Sequence, residues 1–489
     1  MDSFAITKGC YSAALMKTTR RQFVQLSALE LAAAAGVKSL AFPRETSSAA
    51  SGQISVWITD TDKRFASAPP ISWRPAAAKV PEQMISLNPD TKFQQILGFG
   101  AAFTDAACYM LNQLSSASRE QLFHEVFHPS QMGLNVCRIC VGASDYATRV
   151  YSYDEGDPDP ELTRFSIDHD REYILPILHQ ARQHNPDLFL FASPWSPPGW
   201  MKSSGSVLGG SMRRRYLRNY AEYFAKFLES YAEAGVSIQA VTPQNEVDTD
   251  QDGRMPACIW PQEYEIEFIS RYLGPLLREK HPKTAIWILD HNYNLWGRVI
   301  AELDDPKLRQ YAKAVAWHGY VGEPEMMSKV HDAHPDAAMH WTEGGPDYTQ
   351  PNYANDWAEW GQTFSAALRN WCQSITAWNL ALDERGKPNI GPFSCGGTLT
   401  INSQSKEIAR SGQFWALAHF SHVIRRGAQR FDSRGSLPDL DHTAVQNPDG
   451  SKALVATNRG ASRTVPIQIA GMMAELSMKE NSMATLRWT

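Results

Sequence analysis

The chain has 489 residues, of which 43% are hydrophobic and 20% charged, with 31 glycines and 29 prolines. That composition can bury a core, and it excludes collagen-like, disordered and small disulfide-scaffold classes. The 47 Lys and Arg against 52 Asp and Glu leave a net charge of −5, too balanced for a protein that grips phosphate backbones or acidic membranes, so nucleic acid is excluded as a principal partner. Fifteen Trp, 17 Tyr and 20 Phe supply flat amphipathic surface, which suits either a large core or the face of a sugar.

The first expected element is a twin-arginine export signal. Thr18-Thr19-Arg20-Arg21-Gln22-Phe23-Val24 precedes an Ala-rich apolar stretch that runs from Leu26 towards Phe42, the order such a signal requires. Met16 just ahead of it is a candidate start. Glu30, Gly36 and Lys38 interrupt the apolar stretch, which falls short of the roughly 20 residues that span a bilayer. Residues 1–50 are therefore assigned to signal and linker, and the mature protein is expected in the periplasm or outside the cell without stable membrane insertion. Cys10 would leave with the signal. The other six cysteines, Cys108, Cys137, Cys140, Cys258, Cys372 and Cys395, are too thinly spread for a disulfide framework, though an exported chain could pair some. Cys137 and Cys140 sit in the apolar run Leu134 to Val141 with no second pair nearby, so they are expected as buried strand residues rather than metal ligands.

Two short β-like stretches follow, Ile54 to Ile58 and Gln83 to Leu87, joined by a Pro- and Ala-rich connection. These strands, within residues 51–92, are assigned to a side β domain. From residue 93 to 428 short β-rich runs alternate with longer helical stretches: Ile96 to Phe103, Asn135 to Val141, Leu188 to Ser193, Ile238 to Thr242, Ala285 to Leu289, Ala314 to His318, Ala338 to Thr342 and Ser374 to Trp378. Helices are predicted over Arg213 to Glu233, where Tyr216, Tyr220, Phe224, Phe227 and Tyr231 form one stripe, over Glu263 to Glu279 behind Pro261, and over Glu407 to Arg425. Eight strand-then-helix units predict an α/β fold, a closed (β/α)8 TIM barrel. Residues 429–489 change rhythm. Thr443 to Gln446, Lys452 to Thr457, Thr464 to Ile469 and Ala484 to Trp488, with the turn Asn447-Pro448-Asp449-Gly450, predict antiparallel strands of a small accompanying β-sandwich domain.

In such a barrel the site forms where the strands end. The residues there are Asp105, Asp145, Trp195, Asn245 with Glu246, His291, His318 with Tyr320, Glu343, and Trp378 with Asn379. Carboxylates, imidazoles, amides and indoles together suit a polyhydroxylated ligand, whose hydroxyls each need a hydrogen-bond partner and whose faces rest on aromatic rings. Gly98-Phe99-Gly100 lacks the further glycine of a phosphate-binding loop. Glu246 ends the fourth strand and Glu343 the seventh, across the mouth from one another. Glycoside hydrolysis needs two such carboxyl groups, about 5 to 5.5 Å apart when configuration is retained.

The motifs Leu97-Gly98-Phe99-Gly100-Ala101-Ala102-Phe103-Thr104-Asp105-Ala106-Ala107, Ala192-Ser193-Pro194-Trp195-Ser196-Pro197-Pro198-Gly199-Trp200-Met201-Lys202, Val241 to Glu246, His318 to Tyr320, Thr342-Glu343-Gly344 and Ala377 to Leu382 resemble glycoside hydrolase family 30, the glucosylceramidase-like enzymes. The resemblance runs from about residue 93 to the C-terminus. It implies that Glu246 is the general acid/base and Glu343 the nucleophile, that Asn245 holds the sugar 2-hydroxyl, that Asp105, Trp195 and Trp378 contact the outer hydroxyls and ring face, and that His318 and Tyr320 support the charge around Glu343. No cofactor and no metal are expected, since no H-E-x-x-H or comparable set is present. Asp105 has an alternative role as cap of the following helix, and Arg138 is a candidate partner for a catalytic carboxylate. Val247 stands where family members commonly have proline, which bears on loop conformation rather than on proton transfer.

The implied function is a retaining β-glycosidase of the glucosylceramidase type, acting on a carbohydrate or glycolipid and so touching sphingolipid metabolism. Endo-β-1,6-glucanase or β-xylosidase on the same scaffold is the alternative, and a carbohydrate-binding protein without turnover is a third reading. Catalysis would be favoured by a raised pKa on Glu246 while Glu343 remains ionised.

Overall fold

The computed structural model describes residues 52–76, 83–435 and 437–489; the twin-arginine segment lies outside the described residues. Eight parallel strands close into a barrel in chain order: Gly98–Phe103, Val136–Cys140, Phe189–Ser193, Ala240–Val241, Ala285–Asn292, Ala312–His318, Ala338–Glu343 and Cys372–Asn379. The first two are buried along their whole length. Helices cover one face and barrel interior the other, which is why these strands read as apolar runs instead of alternating. Val136, Phe191, Ala240, Trp287, Ala314 and Ala316 form one cluster near the strand starts, and Trp287 stacks on His340 with ring centroids 3.9 Å apart. That plug leaves the opposite end of the barrel for polar side chains.

The helix with the aromatic stripe starts later than expected, at Leu217, and ends at Glu233; Tyr220, Phe224, Phe227 and Tyr231 are buried along it. The helix predicted behind Pro261 is not continuous. It runs Gln262–Phe268, widens into a π-helical turn over Ile269–Leu273, and resumes at Gly274–Lys280. Pro275 has no N–H for the carbonyl four residues back, so the ladder there must change its spacing. The last predicted helix is shorter still, Gly412–Ser421, because Ser411 caps it by accepting the Phe414 N–H. Ile408–Arg410 instead belongs to a three-stranded sheet with Ala381–Leu382 and Leu399–Ile401, an insertion between the eighth strand and the final helix.

The β domain draws strands from both ends of the described chain. Its ten strands run in the order Ala66–Ser72, Gln53–Thr59, Ser482–Trp488, Lys452–Asn458, Leu440–Gln446, Gln429–Arg434, Ile85–Gln95, Arg463–Ile469, Met472–Met478 and Arg74–Pro75, folded over a core of Ile54, Leu87, Phe431, Leu454, Ile467 and Leu486. Part of the Pro- and Ala-rich connection forms the edge strand Ala66–Ser72. Pro69 and Pro70 are tolerated there because it pairs on one side only. Six cysteines, Cys108, Cys137, Cys140, Cys258, Cys372 and Cys395, are buried free thiols.

Three register shifts occur where the barrel strands end. Ala316 faces Leu289 but Trp317 faces His291, passing over Asp290. Trp317 faces Trp341 but His318 faces Glu343, passing over Thr342. Ala377 faces Ala101 but Asn379 faces Ala102, passing over Trp378. Each extra residue is a bulge that re-aims the side chains around it, and all three lie at the mouth.

Candidate active site

Arg138, in the middle of the second strand, has a side chain with no solvent exposure and organises the mouth. Its Nη1 donates to Glu343 Oε2 at 2.5 Å, its Nη2 to Asp290 Oδ2 at 2.6 Å and to Asn245 Oδ1 at 2.8 Å, and its Nε to Ser193 Oγ at 3.1 Å. A buried guanidinium needs this many acceptors to offset desolvation. Asp290 answers it. Besides Arg138, its carboxylate accepts from Thr242 Oγ1 at 2.7 Å, Thr342 Oγ1 at 2.8 Å and His318 Nε2 at 3.1 Å. Burial opposes ionisation of Asp290, but Arg138 and His318 hold its carboxyl far below the usual range.

Glu343 ends the seventh strand. Its Oε1 accepts from Tyr320 Oη at 3.1 Å, while Oε2, already held by Arg138, lies 3.8 Å from His318 Nε2. Glu246 follows the fourth strand with φ 53°, a left-handed conformation that costs a non-glycine residue strain and recurs at functional sites. Its N–H donates to the Asp290 carbonyl at 3.0 Å. Its Oε2 accepts from Gln251 Nε2 at 3.1 Å, and its Oε1 lies 3.6 Å from His318 Nδ1 and 3.7 Å from His291 Nδ1. The two glutamates thus meet opposite nitrogens of one imidazole, and each raises the pKa of the carboxyl of Asp145 by repulsion after burial has done so.

Burial alone would raise Glu246, but the neighbouring His291 and His318 pull it down to about 2. Glu343 moves the other way: burial and the repulsion of Glu246 and Asp290 outweigh His318 and Arg138. The resting direction is opposite to the expectation that Glu246 is the raised carboxyl, because two imidazoles, His291 and His318, stand beside its Oε1. Burial disfavours charge on His318, but Glu343, Asp290 and Glu246 push its pKa up to about 9, so it is an imidazolium at neutral pH.

Asn245 and Tyr320 join this network, as does His318. Trp195 and Trp378 stack on one another with centroids 4.9 Å apart and flank the Arg138 guanidinium at 4.6 and 5.4 Å; each is 2% exposed, so they wall the charge cluster more than they face solvent. Asp105 stands apart. Its carboxylate accepts from Thr148 N at 2.8 Å, Thr148 Oγ1 at 3.0 Å and Tyr173 Oη, with His169 Nε2 3.3 Å away. Nor does it cap the next helix: Thr104 does, accepting from Ala107 N at 3.1 Å. Val247 is buried, and its carbonyl accepts from Trp260 N at 2.8 Å, so the loop is held without a proline.

Asp290 was not among the sequence candidates. Its signal was a carboxylate inside the apolar run Ala285-Ile286-Trp287-Ile288-Leu289-Asp290, one residue before the His291 that drew attention. Asp145 is a further buried carboxyl, and its Oδ1 has no hydrogen-bond partner.

The model of the glycosyl hydrolase family 30 TIM-barrel domain matches residues 96–424, and that of the family's beta sandwich domain matches residues 427–486. The lysosomal acid glucosylceramidase of Mus musculus is 30% identical over 410 residues, 79% of each chain. The endo-1,6-beta-D-glucanase of Neurospora crassa is 30% identical over 392 residues, 76% of this chain and 80% of that protein. Among solved structures, the endo-beta1,6-glucanase BT3312 superposes with a TM-score of 0.80 at 27% identity, covering 89% of this chain and 99% of that one. SrfJ from Salmonella typhimurium shares the fold, with a TM-score of 0.85 at 24% identity over 89% of this chain and 99% of that one. The chain is a glycoside hydrolase and belongs to glycosyl hydrolase family 30.

Proposed function

We propose that the protein hydrolyses a β-glucosyl linkage with retention of configuration, Glu343 acting as nucleophile and Glu246 as acid/base. The observation that carries this reading is the single buried imidazole between them: His318 lies 3.6 Å from Glu246 Oε1 and 3.8 Å from Glu343 Oε2. Glu343 is oriented by Arg138 and Tyr320 on separate oxygens, which fixes the carboxylate for attack on an anomeric carbon. As that bond forms, its charge is consumed, and a proton passes through Glu246 to the leaving oxygen. His318 behind Glu246 is the proton-bearing neighbour, so the two titrate as a unit. In the second step water attacks the same carbon, its proton returns to this pair, and Glu343 is released.

For the aglycone, the glucosylceramidase type follows from the family resemblance. A specific feature favours a glucan. In the segment that follows Glu343 in the chain, a pocket of about 240 Å³ is lined by Asp347, Gln350, Asn352, Asp356, Glu359 and Trp360, carboxylates and amides beside an indole, which suits a sugar ring more than an acyl chain. The exposed large apolar side chains among the described residues, Tyr109, Val150 and Val321, come singly from three segments.

The test uses an aryl β-glucoside and the whole chain. Glu343→Gly should lose hydrolysis by about three orders of magnitude or more. Glu246→Ala with azide should yield a β-glycosyl azide; an α-azide would overturn retention. Products from glucosylceramide and from β-1,6-glucan then separate the two aglycone readings.

A further inference from the structure

Glu246 has a second property that the hydrolytic reading does not use. Its Oε1 faces two imidazole nitrogens of the same kind, His291 Nδ1 at 3.7 Å and His318 Nδ1 at 3.6 Å, and one ligand atom from each of the three residues falls within 4.8 Å of the others. A tetrahedral ion with bonds of about 2.0 to 2.1 Å holds its ligand atoms roughly 3.3 to 3.4 Å apart. Two edges of the triangle are therefore within a few tenths of an ångström of that requirement.

The surroundings orient all three groups as ligands. Each histidine has its far nitrogen on a carboxylate, His318 Nε2 on Asp290 Oδ1 at 3.1 Å and His291 Nε2 on Asp248 Oδ1 at 2.6 Å. That outer arrangement is typical of metal-bound imidazoles, because it sets the ring and supports the nitrogen that faces the ion; the ion takes the place of the proton that His318 Nδ1 carries in the imidazolium, which is released to solvent on binding. The Asn292 amide, whose Oδ1 accepts from Tyr320 N and Val321 N at 3.0 and 3.2 Å, places its NH2 3.3 Å from His291 Nδ1, a contact that an ion bound there displaces. His318 Nδ1 is buried and has no hydrogen-bond partner, in a residue with no solvent exposure. Gln251 holds the other oxygen of Glu246 at 3.1 Å, which leaves Oε1 turned to the imidazoles.

We infer that Glu246, His291 and His318 form a site for a divalent transition-metal ion of zinc's size and ligand preference, and that the ion blocks hydrolysis by taking the oxygen that handles the proton. Two imidazoles and one carboxylate suit zinc, with solvent in the fourth position. Binding depends only on the geometry above; the block rests on Glu246 being the acid/base.

Zinc titrated calorimetrically into the chelator-treated full chain should bind at one equivalent, and cobalt in its place should give the visible absorption of a four-coordinate ion. His291→Ala and the isosteric Glu246→Gln should weaken binding at least tenfold. Asp248→Asn, at a half-exposed position outside the ligand triangle, should weaken it about tenfold while leaving the melting curve in place, so the inference survives a failure of the other variants to fold. His184→Ala, beside Glu120 elsewhere, should bind as the unaltered chain does. Absence of stoichiometric binding, or full affinity in both His291→Ala and Asp248→Asn, overturns the site. Binding without loss of aryl glucoside turnover overturns the block alone. Binding by a chain that hydrolyses no glucoside would refute the proposed activity while upholding the site.

Discussion

At the scale of single residues, the mouth of the barrel is a problem in placing charge without water. Arg138 has no exposure, and its partners Glu343 and Asp290 are nearly as buried, so the cluster is tolerable only because the guanidinium and both carboxylates are matched by hydrogen bonds. Asp145 is matched less well. Burial first, then Glu343 and Glu246, raise its pKa well above the usual range, which favours its protonated form, and its Oδ1 has no partner. A neutral acid can both donate to and accept from a sugar hydroxyl. Asp145→Asn should therefore leave KM for the aryl glucoside within about threefold, whereas Asp145→Ala should raise it roughly tenfold, the worth of one hydrogen bond. Equal effects of the two substitutions would refute this role. The residue types were visible in the sequence. That His291 and His318 both address Glu246 was not, since the three come from different strands and no short spacing links them.

At the scale of elements, the barrel relies on close strand contact and on bulges. A Cβ at Gly100 would lie 1.8 Å from the Val136 carbonyl oxygen, and backbone on a neighbouring barrel strand cannot yield as a side chain would. Gly100→Ala should cost about 3 kcal/mol or more, read as a lower denaturant midpoint at unchanged slope. The helix Trp357–Arg369 carries a second prediction. Asp356 stands at its N-cap but makes no capping bond; Oδ2 accepts from Trp360 Nε1 at 2.9 Å, and Oδ1 is buried without a partner. Burial, against that hydrogen bond, pushes its pKa from 3.8 up to about 7. Because the folded pKa is the higher one, its favourable contribution is complete below pH 3.8 and lost as the pH rises through about 7. Asp356→Asn should remove that loss, so the variant should gain stability relative to the unaltered chain between pH 5 and 8; parallel melting curves across that range would contradict it. The eight strand runs were legible because doubly covered strands are apolar throughout. Their bulges at Asp290, Thr342 and Trp378 were not, because a register shift depends on the neighbouring strand.

At the scale of the whole molecule, barrel and β domain share one continuous core. Trp57, Phe65, Val455 and Met483 from the β domain belong to the same buried cluster as the barrel helices. His419 of the last barrel helix joins the strands Gln53–Thr59 and Ser482–Trp488, 2.8 Å from Thr485 Oγ1 and 2.8 Å from Thr59 Oγ1, and Trp357 Nε1 donates to the Asn481 carbonyl at 2.8 Å. The interface is continuous with the buried apolar core, so the two parts are expected to unfold together. Deleting residues 429–489 should yield aggregated protein, and the full chain should melt in one transition; a soluble, active barrel after the deletion would contradict this.

The sequence by itself determined the barrel, the tail of antiparallel strands and the two strand-end glutamates, since these follow from local periodicity and from residue type at the ends of apolar runs. Tertiary structure alone decided which charges meet. The pairing of Arg138 with Glu343 and Asp290, the imidazole between the glutamates and the network that holds Asp105 depend on distances between different strands and loops, and residues so far apart in the chain carry no pattern that reports such distances. The direction of the pKa shifts on Glu246 and Glu343 follows for the same reason: burial and neighbouring charge belong to the folded site, and a carboxylate's surroundings cannot be read from the residues beside it.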